Sequence, residues 1–156
     1  MKELNLPTYP VRLSQKEGKT YIYDSFRHKN VALTPEEWVR QHFVWFLISE
    51  RSYPSARIAN EVCINVNSTS KRCDTVVYDN YLKPLVIIEF KAPEVPVTHE
   101  VFNQIARYNS VLRVPYLIVS NGLTHFCCQM NYRTMESHFM EDIPKYTDIE
   151  GQGDHR

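Results

Sequence analysis

The chain has 156 residues, of which 43% are hydrophobic, so it suits one folded domain with its own core and excludes global disorder. Its 18 basic and 18 acidic side chains give a formal net charge of zero, which argues against a nucleic-acid binder held by charge alone. The four glycines do not have the spacing of a phosphate-binding loop, which excludes P-loop NTPases and standard dinucleotide-binding domains.

The first third of the chain predicts a β-hairpin followed by a helix. Residues 9–13 and 20–23 have strand composition around a polar turn, and a basic connector runs to residue 33. Thr34 is a favoured helix N-cap, and Glu37 stands where it would close a capping box. We therefore predict a largely buried helix that ends near Glu50.

Three strands are predicted in the middle of the chain, at residues 58–66, 72–78 and 84–91. The run from residue 85 to residue 88 is apolar on both faces, which is typical of a central strand. Because the connectors between these strands are short, we expect neighbouring strands to pair antiparallel as a meander.

A second helix is predicted over residues 98–113, followed by strands at 116–120 and 123–130. The expected fold class is α/β (α+β): a helix, a three-stranded antiparallel meander, a crossover helix and returning strands. We divide the chain into an N-terminal hairpin with its basic connector (1–33), a core domain (34–143) and a flexible acidic tail (144–156).

The sequence contains no apolar run long enough to span a membrane, and its first residues lack a signal-peptide pattern. We therefore expect a cytoplasmic protein with reduced cysteines. Because the four cysteines form no C-x-x-C pair, we expect them to fill small apolar positions on strands rather than bind zinc.

The end of the predicted central strand carries an unusual pair of charges. Glu89 and Lys91 are two residues apart and therefore point to the same face of the sheet. Asp74 lies on the preceding strand, where pairing through the short connector would place it opposite this end. Two carboxylates and a backbone carbonyl suit Mg²⁺, and a neighbouring lysine can assist an attacking water. This set of groups predicts metal-assisted hydrolysis of a phosphodiester.

Asp74 followed by Glu89-Phe90-Lys91 resembles the motif of the PD-(D/E)XK nucleases. Further stretches resemble one branch of that superfamily, the amino-terminal nuclease domain of type I restriction enzyme R subunits and its stand-alone relatives. These stretches occur in the order of that family, at residues 34–40, 71–78, 84–93, 104–109 and 119–122. Cys73 departs from the motif, which has proline there, and no part of the sequence corresponds to a helicase motor or an ATP site.

The resemblance implies a role for each matching residue. Asp74 and Glu89 would bind Mg²⁺, for which Mn²⁺ can substitute, with the Phe90 carbonyl as a third ligand. Lys91 would be the catalytic lysine. The remaining roles fall on residues outside the motif itself: Glu37 would face the metal, while Gln104 would bind Lys91 or phosphate and Tyr108 would contact DNA.

Independently of the resemblance, Arg27 and Lys29 in the basic connector are candidate DNA contacts, although such a loop is often simply solvated. The expected partner is DNA, with a motor or specificity subunit in trans, or a second copy of the chain, as further partners. Two alternatives stay open: a non-catalytic DNA-binding or assembly module of a restriction complex on the same fold, and a structural α/β domain in which Glu89 and Lys91 form an ion pair. Glu37 as a plain capping residue and Tyr108 as a core residue are the corresponding local alternatives.

Overall fold

A computed structural model describes residues 1–151. Over this range the chain forms a small and a large β-sheet and three α-helices. The small antiparallel sheet consists of β1 (Leu13–Lys16), β2 (Lys19–Asp24) and β3 (Lys29–Ala32). The helices are α1 (Pro35–Glu50), α2 (His99–Asn109) and α3 (Tyr146–Ile149). The large sheet consists of β4 (Ile58–Val66), β5 (Thr69–Tyr78), β6 (Pro84–Phe90), β7 (Tyr116–Ser120), β8 (His125–Asn131) and β9 (Glu136–Met140).

The large sheet follows chain order from β4 to β9. Every neighbouring pair is antiparallel except β6 and β7, which are parallel because α2 crosses between them. This topology confirms the predicted fold class, with its meander, crossover helix and returning strands.

The sheet is packed on both faces. One hydrophobic cluster places Phe43 and Leu47 of α1 against residues that include Ile88. The opposite cluster places Phe102 of α2 against residues that include Ile87. Neighbouring residues of β6 thus enter different clusters, which explains why this strand is apolar on both faces.

The N-terminal region differs from the prediction in its number of strands. The first strand begins at Leu13 rather than at residue 9, and the predicted basic connector contains a third strand, β3. Strand β3 has only one half-buried hydrophobic residue, Val31, so its sequence shows no clear alternation. The hairpin is therefore part of a three-stranded sheet.

Several strand and helix boundaries differ from the prediction. Strand β5 begins at Thr69 rather than at residue 72, since the turn before it takes up only two residues. Helix α2 ends at Asn109 and continues as a short 3-10 helix, Ser110–Leu112. Strand β8 begins at His125 rather than at residue 123, because the Asn121 side chain accepts hydrogen bonds from the backbone N–H groups of Leu123 and Thr124.

The C-terminal region contains structure that the sequence did not predict. Strand β9 forms one edge of the large sheet. Residues 144–151, expected to be part of a flexible tail, contain α3, whose Tyr146 and Ile149 are buried in the core. The last part of the predicted tail, 152–156, lies outside the described residues.

The cysteines behave largely as small apolar residues. Cys73, Cys127 and Cys128 are buried as free thiols, while Cys63 is exposed. Burial, with repulsion from Glu89 and Asp74, raises the pKa of Cys73 to about 12, so this thiol stays protonated. None of the helices in residues 1–151 has the length and hydrophobicity needed to cross a membrane.

Replacing Gly122 by alanine is expected to destabilise the fold by about 2–3 kcal/mol. Gly122 has a φ of +86°, and an added Cβ would lie 2.7 Å from a side-chain carbon of Leu4. Gly18 is a matched control, since its φ is +77° but an added Cβ would meet nothing within 4 Å. Urea unfolding of both variants separates the two effects: equal losses would show that the Leu4 contact does not matter.

Candidate active site

The antiparallel pairing of β5 and β6 brings Asp74 and Glu89 together. Thr75 pairs with Ile88 in the register of these strands, so the next positions along the two strands are Asp74 and Glu89. The Asp74 carboxylate accepts a hydrogen bond of 2.9 Å from the backbone N–H of Phe90. Asp74 is therefore fixed against the end of β6, as the sequence predicts.

The Glu89 carboxyl group has a strongly perturbed acidity. Burial raises its pKa to about 8, and the negative charge and hydrogen bond of Asp74 add to the increase. Lys91 and Arg40 act in the opposite direction, because their positive charges favour the ionised carboxylate. A half-buried carboxyl pair of this kind is common at functional sites, and a cation bound between the two groups would remove their mutual repulsion.

Lys91 is held at the site by its backbone. Its N–H donates a hydrogen bond of 2.9 Å to the carbonyl of Ser120 at the end of β7. The next residue, Asn121, is buried and donates from its side chain to the carbonyl of Val95. The stretch at residues 119–122 thus fixes both Lys91 and the loop that follows it.

Gln104 and Tyr108 lie on α2 and line the same cleft as Glu89 and Lys91. The cleft has a volume of about 300 Å³. Tyr108 is 56% exposed, which argues against its alternative interpretation as a core residue. The cation of Lys71 lies 3.8 Å from the centre of its ring.

Asn109 also lines this cleft and was not predicted as a site residue. Its side-chain N–H₂ donates to the carbonyl of Ile105, while its buried side-chain oxygen has no hydrogen-bond partner within residues 1–151. Buried side-chain oxygens usually have a partner, so Asn109 is an exception at the edge of the site.

Glu37 is surrounded by cationic and amide groups. Thr34 accepts a hydrogen bond from the Glu37 backbone, which confirms the predicted N-cap. The Glu37 carboxylate, however, accepts hydrogen bonds from Arg27, Arg40 and Gln41. Only the Thr34 half of the predicted capping box is thus formed, and a ligand role for Glu37 would require these bonds to break.

The two basic residues predicted to contact DNA have different environments. Arg27 bonds to the carboxylates of Asp24 and Glu37, the second of which it shares with Arg40, so its charge is partly offset. Burial alone would raise the pKa of Asp24, but hydrogen bonds from the Arg27 side chain hold it below its ordinary value. Lys29, on β3, is exposed to solvent.

Three charged residues near the site were missed by the sequence analysis: Arg40, Glu61 and Arg72. Arg40 follows Glu37 by three positions on α1, a spacing that places both on one helix face and was an available signal. Arg72 lines the cleft, and Glu61 lies near Arg27, Arg40 and Arg72. No local sequence pattern indicates these contacts of Glu61.

Comparisons with known proteins support the fold and a family. The family described as type I restriction enzyme R protein N terminus matches residues 35–144. Among solved structures, the chain resembles a fragment assigned as an HsdR subunit of a type I restriction enzyme from Vibrio vulnificus YJ016. The two are 18% identical with a TM-score of 0.51, and the match covers 77% of this chain and 25% of that fragment. No curated protein matches the sequence. This chain therefore spans about a quarter of the length of the HsdR fragment, and at this identity the structural likeness concerns the fold.

Proposed function

This chain belongs to the family of type I restriction enzyme R protein N termini, and on that premise we propose that it is a metal-dependent nuclease domain that hydrolyses DNA. The observation that carries the proposal is the pairing of β5 with β6, which places Asp74 opposite Glu89, with Lys91 two residues further along the chain. This arrangement matches the Asp74, Glu89 and Lys91 motif of PD-(D/E)XK nucleases, which the sequence resembles.

The donor set suits a hard divalent cation. We propose Asp74 and Glu89 as ligands of Mg²⁺ or Mn²⁺, with the carbonyl of Phe90 as a third oxygen donor. Magnesium commonly binds through one or two carboxylates and keeps several waters, so the pair is sufficient although residues 1–151 contain no group of three or more His, Cys, Asp or Glu suited to a metal. Bound there, the ion would supply charge neutralisation at the phosphate and activation of water.

The other residues of the site have roles that follow from their positions. Lys91 would orient the attacking water through its ammonium group and stabilise the negative charge that develops on the phosphate. Gln104 would donate a hydrogen bond to a phosphate oxygen, and Tyr108 would contact the DNA backbone from the exposed side of the cleft. We propose that Glu37 orients Arg27 and Arg40 rather than binding the metal, because its carboxylate is already bonded to both arginines.

Nicking of supercoiled plasmid DNA tests this function. We expect the protein to nick the plasmid with Mg²⁺ and not with EDTA, and Asp74→Asn to lose at least about 100-fold in rate, since a ligand carboxylate is removed. Asp148→Asn is a control, because this exposed carboxylate lies on α3. Full activity in Asp74→Asn would rule out the proposed metal site.

A second candidate function is a non-catalytic DNA-binding or assembly module that works with a motor or specificity subunit, or as a homodimer. One observation favours it: the Glu37 carboxylate bonds to Arg27 and Arg40 and so is not available as a metal ligand. Calorimetric titration with Mg²⁺ and Mn²⁺, with and without DNA, separates the candidates. Absence of metal binding in both conditions would favour the module.

A further inference from the structure

Three arginines, one from the turn between β2 and β3, one from α1 and one from β5, converge on the carboxylate of Glu61. Their nitrogen atoms lie 3.5, 4.0 and 3.9 Å from its oxygens for Arg27, Arg40 and Arg72, respectively. The Glu61 side chain is 47% exposed, and long ion pairs to such an accessible carboxylate contribute little to stability. Stability alone therefore does not account for the convergence of three guanidinium groups.

The arginine cluster has an open hydrogen-bond donor. Arg40 is more than nine-tenths buried, and its Nε has no hydrogen-bond partner within residues 1–151. An unsatisfied buried donor is costly, and donors of arginine are strongest when they meet an anionic oxygen. One terminal nitrogen of the Arg40 guanidinium group already bonds to Glu37 at 3.1 Å, and the other lies 4.0 Å from Glu61. The Nε donor of Arg40 is bonded to neither carboxylate.

The position of Glu61 links this cluster to the candidate active site. Asn60 pairs with Thr75 and Val62 pairs with Cys73, so Glu61 lies opposite Asp74 between these pairs. Glu61 has a φ of +52°, a left-handed conformation that non-glycine residues adopt at a cost and that often marks functional sites. On the other side, Arg72 lines the cleft that also contains Glu89 and Lys91.

We propose that Arg27, Arg40 and Arg72 form a binding site for a DNA backbone phosphate next to the scissile bond, and that Glu61 occupies this site in the free protein as a substitute for phosphate. The guanidinium group binds carboxylate and phosphate oxygens with the same forked geometry. The side chain of Arg72 is 70% exposed, so it is the most accessible of the three arginines to a phosphate from solution. This inference rests on the proposed function, because it assumes DNA at the Asp74–Glu89 site.

The test measures DNA binding in EDTA, where cleavage does not occur, by fluorescence anisotropy of a short labelled duplex. We expect Glu61→Gln to bind DNA about 5-fold more tightly at low salt. The slope of the logarithm of the binding constant against the logarithm of salt concentration should become steeper by about 0.9, which corresponds to one more neutralised phosphate. Glu136→Gln on β9 is the matched control, since it makes the same charge change at an exposed position.

Arg72→Gln provides an independent variant, because a residue so exposed can be replaced without disturbing the core. It should weaken binding and flatten the salt dependence by about 0.9, and it should remove the gain when combined with Glu61→Gln. Equal binding by Glu61→Gln and Glu136→Gln, a gain that persists without Arg72, or no binding by any variant would overturn the proposal. If the unaltered protein bound DNA as expected here but did not nick plasmid DNA, the proposed catalysis would be wrong. The binding results would still support the phosphate site.

Discussion

Lys91→Ala is expected to slow Mg²⁺-dependent nicking of plasmid DNA by about 10²–10⁴-fold, the range by which a positioned acid–base group accelerates proton transfer. Lys91 lies beside Glu89 at the end of β6, where its charge acts on that carboxyl group. Lys91 also lines the cleft, together with Glu89, Gln104 and Tyr108. Initial nicking rates at saturating Mg²⁺ would give the effect directly.

The control for Lys91 is Lys83→Ala, which removes an exposed lysine just before the opposite end of β6. It should nick DNA at the rate of the unaltered protein. Lys91→Ala should also keep its calorimetric affinity for Mg²⁺ within a few fold, because an ammonium group is not a ligand. Equal nicking rates for the two variants would show that Lys91 takes no part in the reaction.

Glu89→Gln is expected to stabilise the folded protein at pH 8 by about 2–4 kcal/mol, at about 1.4 kcal/mol per unit of pKa difference. The pKa of Glu89 rises from 4.5 to about 8 in the folded state, so between these values the folded state binds more protons than the unfolded state. The unfolding free energy of the unaltered protein therefore falls as the pH rises through this window. Glutamine keeps the neutral form throughout and avoids that loss.

Urea unfolding at pH 5 and pH 8 tests this prediction. The advantage of Glu89→Gln should be large at pH 8 and small at pH 5, whereas Glu136→Gln should show no such dependence. Mg²⁺ should stabilise the unaltered protein at pH 8 and have little effect on Glu89→Gln, since binding to the folded state alone raises stability. A Glu89→Gln variant that is less stable at both pH values would instead favour a structural ion pair with Lys91.

The hairpin that carries the carboxylates was predictable because its signals are local. The apolar run at residues 85–88 marks a central strand, and the short connector before it requires an antiparallel partner. These two facts together are sufficient to place Asp74 opposite the end of β6. Glu37 shows the limit of such reasoning, since its position in the helix was predictable but the bonds of its carboxylate were not.

The arginine cluster was not predictable from the sequence. Arg27 reaches Glu37 across 10 positions and Glu61 across 34, and charged side chains carry no periodic signal that would indicate such pairs. Strand β9 and helix α3 were missed for a different reason. An exposed edge strand shows no hydrophobic alternation, and a helix of four residues is too short to display helical periodicity.

The parallel pairing of β6 and β7 has a consequence for the order of folding. Asp74 and Glu89 belong to one hairpin, whose strands meet through contacts that are local in the sequence. The hydrogen bond from the Lys91 backbone to Ser120 can form only after the long segment between them, which includes α2, has folded and brought β7 beside β6. Because closing a longer loop costs more chain entropy, we expect the two acidic groups to meet first and the lysine to be fixed beside them later.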